Sequence, residues 1–319
     1  MLSMKNFLFI LALFASSLII AQEKFSKEIS FRTDNDLYVS ATRDRYYTSG
    51  VFLEYRYLSS KKNEFLEKRI FEWKIGHEMY TPYKATVENM NEHDRPFAGY
   101  LYGGFKIQRV YKSNQIFNTS AQIGVIGADS YAEELQEFIH DIYGFKKAVG
   151  WQYQIKNAFA LNFNAEYLKT LATTNDNNLD ITWVNTLNAG TVYTNIASGF
   201  YSRIGLKPLQ NLTNSIAFNT NLNDDKTSNY REIESFFFVK PMLRYAFYDA
   251  TLQGSFLNKT SPITKNIMPF VFDIEVGLKF TANRFNFGYS FNYNTSKSKD
   301  LRFTYGHRYG SVIINYLLR

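Results

Sequence analysis

Three short polar clusters hold the residues of this chain that are equipped for chemistry. They are Asn35-Asp36 with Thr48, the run Asp94-Arg95-Pro96-Phe97-Ala98-Gly99, and Gln136 four residues before His140. An imidazole is the side chain whose ordinary pKa lies closest to neutrality, so His140 suits a general base. The oxygens of Asp36 and Asn35 suit a hard cation. Thr48 suits an orienting hydroxyl rather than a nucleophile, since nothing in the chain marks it as activated. The planar fork of Arg95 matches a phosphate. Residues 129–143 have helical spacing, with Leu135, Phe138, Ile139 and Ile142 in one apolar stripe. Gln136 and His140, at i and i+4, then share a face beside that stripe. Plainer readings compete. Asp34-Asn35-Asp36 is also a turn-forming cluster, Asp94-Arg95-Pro96 also a loop ion pair, and a lone loop histidine is usually solvated. The acidic cluster is no EF-hand, because Val39 and Arg45 stand where that loop needs Gly and Glu. No phosphate loop, zinc spacing or Ser-centred elbow is present. His77, His93 and His307 read as structural or solvated.

The elements that position these clusters follow from composition and pattern. The 319 residues are 18% aromatic, with 29 Phe and 24 Tyr but only 6 Pro, and carry a net charge of +7, at a mean hydropathy of −0.30. Past residue 21 no stretch approaches the roughly 20 consecutive apolar residues that a spanning helix needs. Residues 1–21 read as a signal peptide, with Lys5 before an apolar run from Phe7 to Ile20 and a small residue, Ala21, at the cut. Residues 22–319 are then the mature, exported domain. The absence of Cys excludes a lipoprotein anchor and a disulfide framework.

The mature chain alternates. Phe270, Phe272, Ile274, Val276, Leu278 and Phe280 face one way, while Val271, Asp273, Glu275, Gly277 and Lys279 face the other; Arg284 to Tyr293 repeats the pattern after a tight turn at 281–283. Such segments exceed the five or six residues typical of soluble strands and match the roughly 9–11 that cross a bilayer at a tilt. A soluble sandwich is the competing reading. In the membrane reading Glu54, Arg56, Asp273, Glu275 and Lys279 face a polar lumen, and closure satisfies every backbone group in lipid. Twelve strands are expected, near 25–33, 48–58, 69–79, 100–111, 115–126, 157–170, 179–194, 198–207, 233–256, 269–281, 284–295 and 303–318. The fold class is all-β, a 12-stranded antiparallel transmembrane β-barrel with a short helix in an extracellular loop. With both termini in the periplasm, the longer connections after odd strands point outward and carry all three polar clusters above one side of the barrel. Residues 208–231, rich in Asn, Asp and Ser, read as a long flexible periplasmic loop.

In this order, Asn35-Asp36, the Tyr-Thr-x-Gly at 47–50, Asp94 to Gly99, Gly124-Val-Ile-Gly127, Gln136-x-x-x-His140 and Gly150-Trp151-Gln152-x-Gln154 resemble the outer-membrane lipid A 3'-O-deacylases, the LpxR family. The resemblance covers residues 28–160 in motif detail and the later strands in pattern. It implies a calcium-dependent hydrolase that cleaves the ester of the 3'-linked acyloxyacyl chain of lipid A at the outer leaflet. Carried over residue by residue, the family's catalytic Asn, Asp, Thr, Gln and His fall on Asn35, Asp36, Thr48, Gln136 and His140. Its Arg falls on Arg95, a substrate-binding candidate, and Ca2+ falls to Asp36 and Asn35. The expected partners are lipopolysaccharide and outer-membrane lipids, the expected state is a monomer, and nucleic acid is not an expected partner. A basic chain suits a leaflet of phosphorylated lipid. A passive or inactive barrel and an outer-membrane phospholipase using Ser, His and Asn remain open alternatives.

Overall fold

The computed structural model describes residues 24–39, 44–61, 64–227 and 232–319, so the expected signal peptide lies outside the described residues. Twelve strands form: β1 (Lys27–Asn35), β2 (Tyr46–Leu58), β3 (Leu66–Thr81), β4 (Ala98–Tyr111), β5 (Gln115–Ile126), β6 (Ala158–Thr173), β7 (Leu179–Gly190), β8 (Tyr193–Gly205), β9 (Ser235–Asp249), β10 (Phe270–Ala282), β11 (Phe285–Asn294) and β12 (His307–Leu318). Each pairs antiparallel with its sequence neighbours, and β1 pairs with β12 from Lys27↔Leu318 to Asn35↔Gly310, closing the barrel. The expected ninth strand was too long. It ends at Asp249, whose carboxylate accepts from the backbone N–H of Thr251 and starts a helical turn, α2 (Ala250–Gln253).

Alternation sorts the wall into two environments. Outward side chains are large and apolar, Trp73 and Ile75 being 56% and 59% exposed. In water that surface would be a gross liability; in a bilayer it is the solvent-facing surface, so the soluble sandwich is set aside. Inward, Arg56 is bonded by Glu28 and Glu72 at 2.6 Å each and also by Glu54, and Lys106 reaches Glu72 at 2.6 Å. Buried charges persist only when paired and hydrogen-bonded in this way.

The described residues 206–227 and 232–234 correct the expectation of a flexible loop. Leu209, Leu212, Ile216 and Phe218 are buried against Tyr201, Phe236 and Phe238 inside the barrel, and Lys68 Nζ donates to the carbonyls of Thr220 (2.8 Å) and Leu222 (3.0 Å). Arg203, wholly buried, pairs with Asp180 and with Glu234 at 2.9 Å. The polar composition that suggested a mobile loop satisfies backbone groups inside a charged lumen, as a plug must. Above it the lumen holds two polar cavities of about 490 and 480 Å³.

On the opposite rim the long connections meet. Asp94 accepts from Tyr46 Oη (2.9 Å), from the N–H of Tyr83 (3.0 Å) and from the N–H of Arg302 (2.9 Å), tying β2 and two loops together. Helix α1 (Ala132–Tyr143) lies against the outside of the wall, where Ala132 and Leu135 pack on Met79, Phe97 and Trp151.

Candidate active site

Asn35 ends β1, and its side-chain oxygen accepts from the N–H of Leu37 at 2.8 Å. This caps a tight turn over Asp36–Tyr38 that tucks Asp36 into the protein at 2% exposure. One Asp36 oxygen, Oδ2, accepts from the N–H of Arg45 at 2.9 Å, while Oδ1 is buried without a partner among the described residues. Burial, above all, pushes the Asp36 carboxyl up to about 8, and the nearby Asp44 carboxylate adds to the rise.

Asp44 is the residue that sequence reasoning missed. Its Oδ2 lies 3.1 Å from His140 Nε2, and its carbonyl accepts from Thr81 Oγ1 at 2.7 Å. Thr81 Oγ1 also lies 2.7 Å from Thr48 Oγ1. The signal was present: Asp44 sits in the same rim connection as Asp36 and Thr48, but it belongs to no motif.

His140 comes from the last turn of α1. The helix begins with Glu133 and Glu134 in its first turn, as the macrodipole favours, and ends at Gly144 with φ 66°, a left-handed cap. Beyond that cap the chain turns back, and the carbonyl of Lys146 lies 2.6 Å from His140 Nδ1. A carbonyl can only accept, so Nδ1 carries a proton, and Nε2 faces the Asp44 carboxylate. One turn earlier, Gln136 Oε1 accepts from Trp151 Nε1 at 2.7 Å, while Gln136 Nε2 is buried without an acceptor among the described residues. Trp151 is held by Phe97, with ring centroids 4.7 Å apart.

Asp36, Thr48, Gln136 and His140 therefore gather with Asp44 on the outer side of the rim, between helix and wall. Thr81 lies on the outward face of β3, in phase with Ile75 and out of phase with the lumen-lining Glu78 and Tyr80. Arg95 is not brought to them. Its guanidinium donates to the Thr251 carbonyl at 3.0 Å and lies 4.7 Å from the Tyr80 ring, inside the barrel mouth. His77, His93 and His307 lie against the backbone carbonyls of Ser130 (3.1 Å), Asn89 (3.0 Å) and Tyr47 (3.0 Å), as structural histidines do.

A hard cation fits this donor set in one respect. Two neighbouring carboxylates repel, one of them with a buried orphan oxygen, and a divalent ion would relieve both penalties. Among the described residues no group of three or more His, Cys, Asp or Glu could hold a metal, so backbone carbonyls or water must complete such a shell.

The sequence matches the family of outer membrane protein LpxR over residues 7–318. Among solved structures, LpxR from Salmonella typhimurium is similar with a TM-score of 0.72 at 20% identity, over 91% of this chain and 99% of that one. The β-domain of the Bordetella autotransporter BrkA follows at 0.47 and 7% identity, over 93% of this chain and 99% of that one. The first likeness is one of fold, and the second carries no argument. No curated protein matches the chain.

Proposed function

From the premise that this chain belongs to the LpxR family of outer-membrane proteins, we propose that it is a calcium-dependent lipid A deacylase. Its reaction is hydrolysis of the ester that holds the 3'-linked acyloxyacyl chain of lipopolysaccharide at the outer leaflet.

The observation that carries this reading is the contact of His140 Nε2 with Asp44, beside two buried groups that lack partners among the described residues: an acceptor on Asp36, whose carboxyl feels the Asp44 charge, and a donor on Gln136, one turn from His140. An ester and an attacking water supply what those groups lack. His140 takes the water's proton as the water oxygen bonds to the ester carbon, Asp44, 3.1 Å away, holds the imidazolium that results, and the same proton passes to the sugar oxygen as the acyl C–O bond breaks. Gln136 Nε2–H donates to the ester oxygen as negative charge grows there. Thr48, bound to Thr81, orients rather than attacks. Asp36, with the turn that Asn35 caps, would hold calcium, and the ion would supply a Lewis acid to polarise the ester carbonyl. Arg95 braces the mouth from within.

The alternatives find less support. A phospholipase of the Ser-His kind would need a serine at His307, whose Nε2 faces the carbonyl of Tyr47 while Ser311 bonds Asn292. A passive pore is disfavoured by the packed plug. Purified protein incubated with lipid A or with phospholipid, with and without calcium, separates the three by product mass. Calcium-dependent loss of the 3' chain supports the proposal; phospholipid deacylation, or no product from either lipid, overturns it.

A further inference from the structure

Below α1 the lipid-facing wall has a dent. On β4 the outward positions run Leu101, Gly103, Phe105, and at Gly103 an added Cβ would meet nothing within 4 Å. Gly103 pairs with Ile75 on one side and Ile123 on the other, and Ile123 pairs with Leu161. The groove so formed has a volume of about 710 Å³, with Leu53, Trp73, Ile75, Phe105, Ile123 and Leu161 among its walls. Trp73 and Phe105, with ring centroids 4.7 Å apart, border it on the periplasmic side of Gly103.

We propose that this groove seats one acyl chain of the lipid being hydrolysed and sets the chain length the enzyme prefers, an inference that rests on the deacylase reading. The groove lies on the membrane face of an outer-membrane barrel, so its surroundings are acyl chains. It is continuous with the wall under the site: four residues up β4 from Gly103 is Gly99, where a Cβ would run into Ser130 and Ala132 at the start of α1. That is roughly 13 Å of strand, close to the ~15 Å depth of one leaflet. Chain entering from the site reaches the Trp73–Phe105 border after about one leaflet's depth. A bulk lipid would need no dent, since a smooth wall packs against lipid equally well.

Gly103→Trp puts bulk into the groove from a position where an added Cβ meets nothing within 4 Å. In lipid A homologues differing only in the length of the scissile chain, kcat/KM for long chains falls at least about tenfold, the worth of roughly two buried methylenes, and for short chains changes less than twofold. Trp73→Ala, which opens the far end, shifts the preference toward longer chains. Binding is read separately by native mass spectrometry of His140→Ala protein with intact lipid A. The complex is retained with Gly103 and weakened about tenfold or more by Gly103→Trp, so the groove is tested even if the wild type proves not to cleave lipid A. Equal effects of Gly103→Trp on all chain lengths together with unchanged lipid retention overturn the proposal.

Discussion

Asp44 does two things at once: its carboxylate faces His140 Nε2 and its backbone carbonyl holds Thr81, which holds Thr48. His140, Thr48 and, through Arg45, the Asp36 carboxylate are thus fixed to one short stretch of rim. His140→Ala should lower deacylation by about 10²- to 10⁴-fold, the usual worth of a positioned base, while the barrel still forms; turnover within a few-fold of wild type removes His140 from the chemistry. Asp36 makes a pH prediction. Its carboxyl stands near 8 in the fold, above the ordinary value of the unfolded chain, so its stabilising contribution is complete below about pH 4 and is lost as pH rises to about 8. A cation reverses this, because it needs the ionised form. Calcium should therefore raise the unfolding temperature more at pH 8 than at pH 5, and an equal rise at both would place the ion elsewhere. His140, Gln136 and Asp36 were legible in the sequence because each stands in a motif. Asp44 was not, because its role comes from a fold-back of the rim loop against α1, which no local spacing encodes.

Helix α1 turns Gln136 and His140 toward the wall beside Ala132 and Leu135, while Glu134 and Asp141 stay exposed. Gln136 and His140 are buried against the wall, whereas Phe138 and Ile142 are exposed, at 62% and 63%. In water this would be an inverted helix; beside a leaflet it is what an interfacial helix does. The helical period was legible from residues 129–143, but periodicity alone left open which face meets the protein. Gly99 sets how closely the helix sits. Gly99→Ala would push Ser130 and Ala132 off the wall at about 1–3 kcal/mol of overpacking. Activity should fall well below wild type while the twelve-stranded barrel survives, as measured by heat-modifiable mobility on gels. Full activity in that variant would mean that the helix need not be seated.

Across the whole molecule, strand alternation was the most legible signal. Each of the twelve expected strands has its counterpart, most within a few residues, apart from the overlong seventh and ninth and the eighth, which begins five residues early at Tyr193, because a wall between lipid and a polar lumen forces period two at every position. The plug was illegible for the same reason: packed inside a charged lumen, residues 206–227 carry the polar composition of a loop. Its anchor is Arg203 between Asp180 and Glu234. Arg203→Met strands two buried carboxylates, a cost of about 3–5 kcal/mol, and should loosen the plug, so that conductance appears in planar bilayers where the wild type is closed. A silent, fully stable Arg203→Met barrel would show that the plug is held by its apolar contacts alone.

The central claim is that a base, two carboxylates and an amide gathered on the membrane face of the rim cleave lipid A. It is tested most directly by the mass of lipid A extracted from cells expressing the wild-type chain or His140→Ala. The account predicts loss of the 3'-linked acyloxyacyl chain with the wild type and intact lipid A with the variant. Identical lipid A from both, or loss of a chain from both, would contradict it.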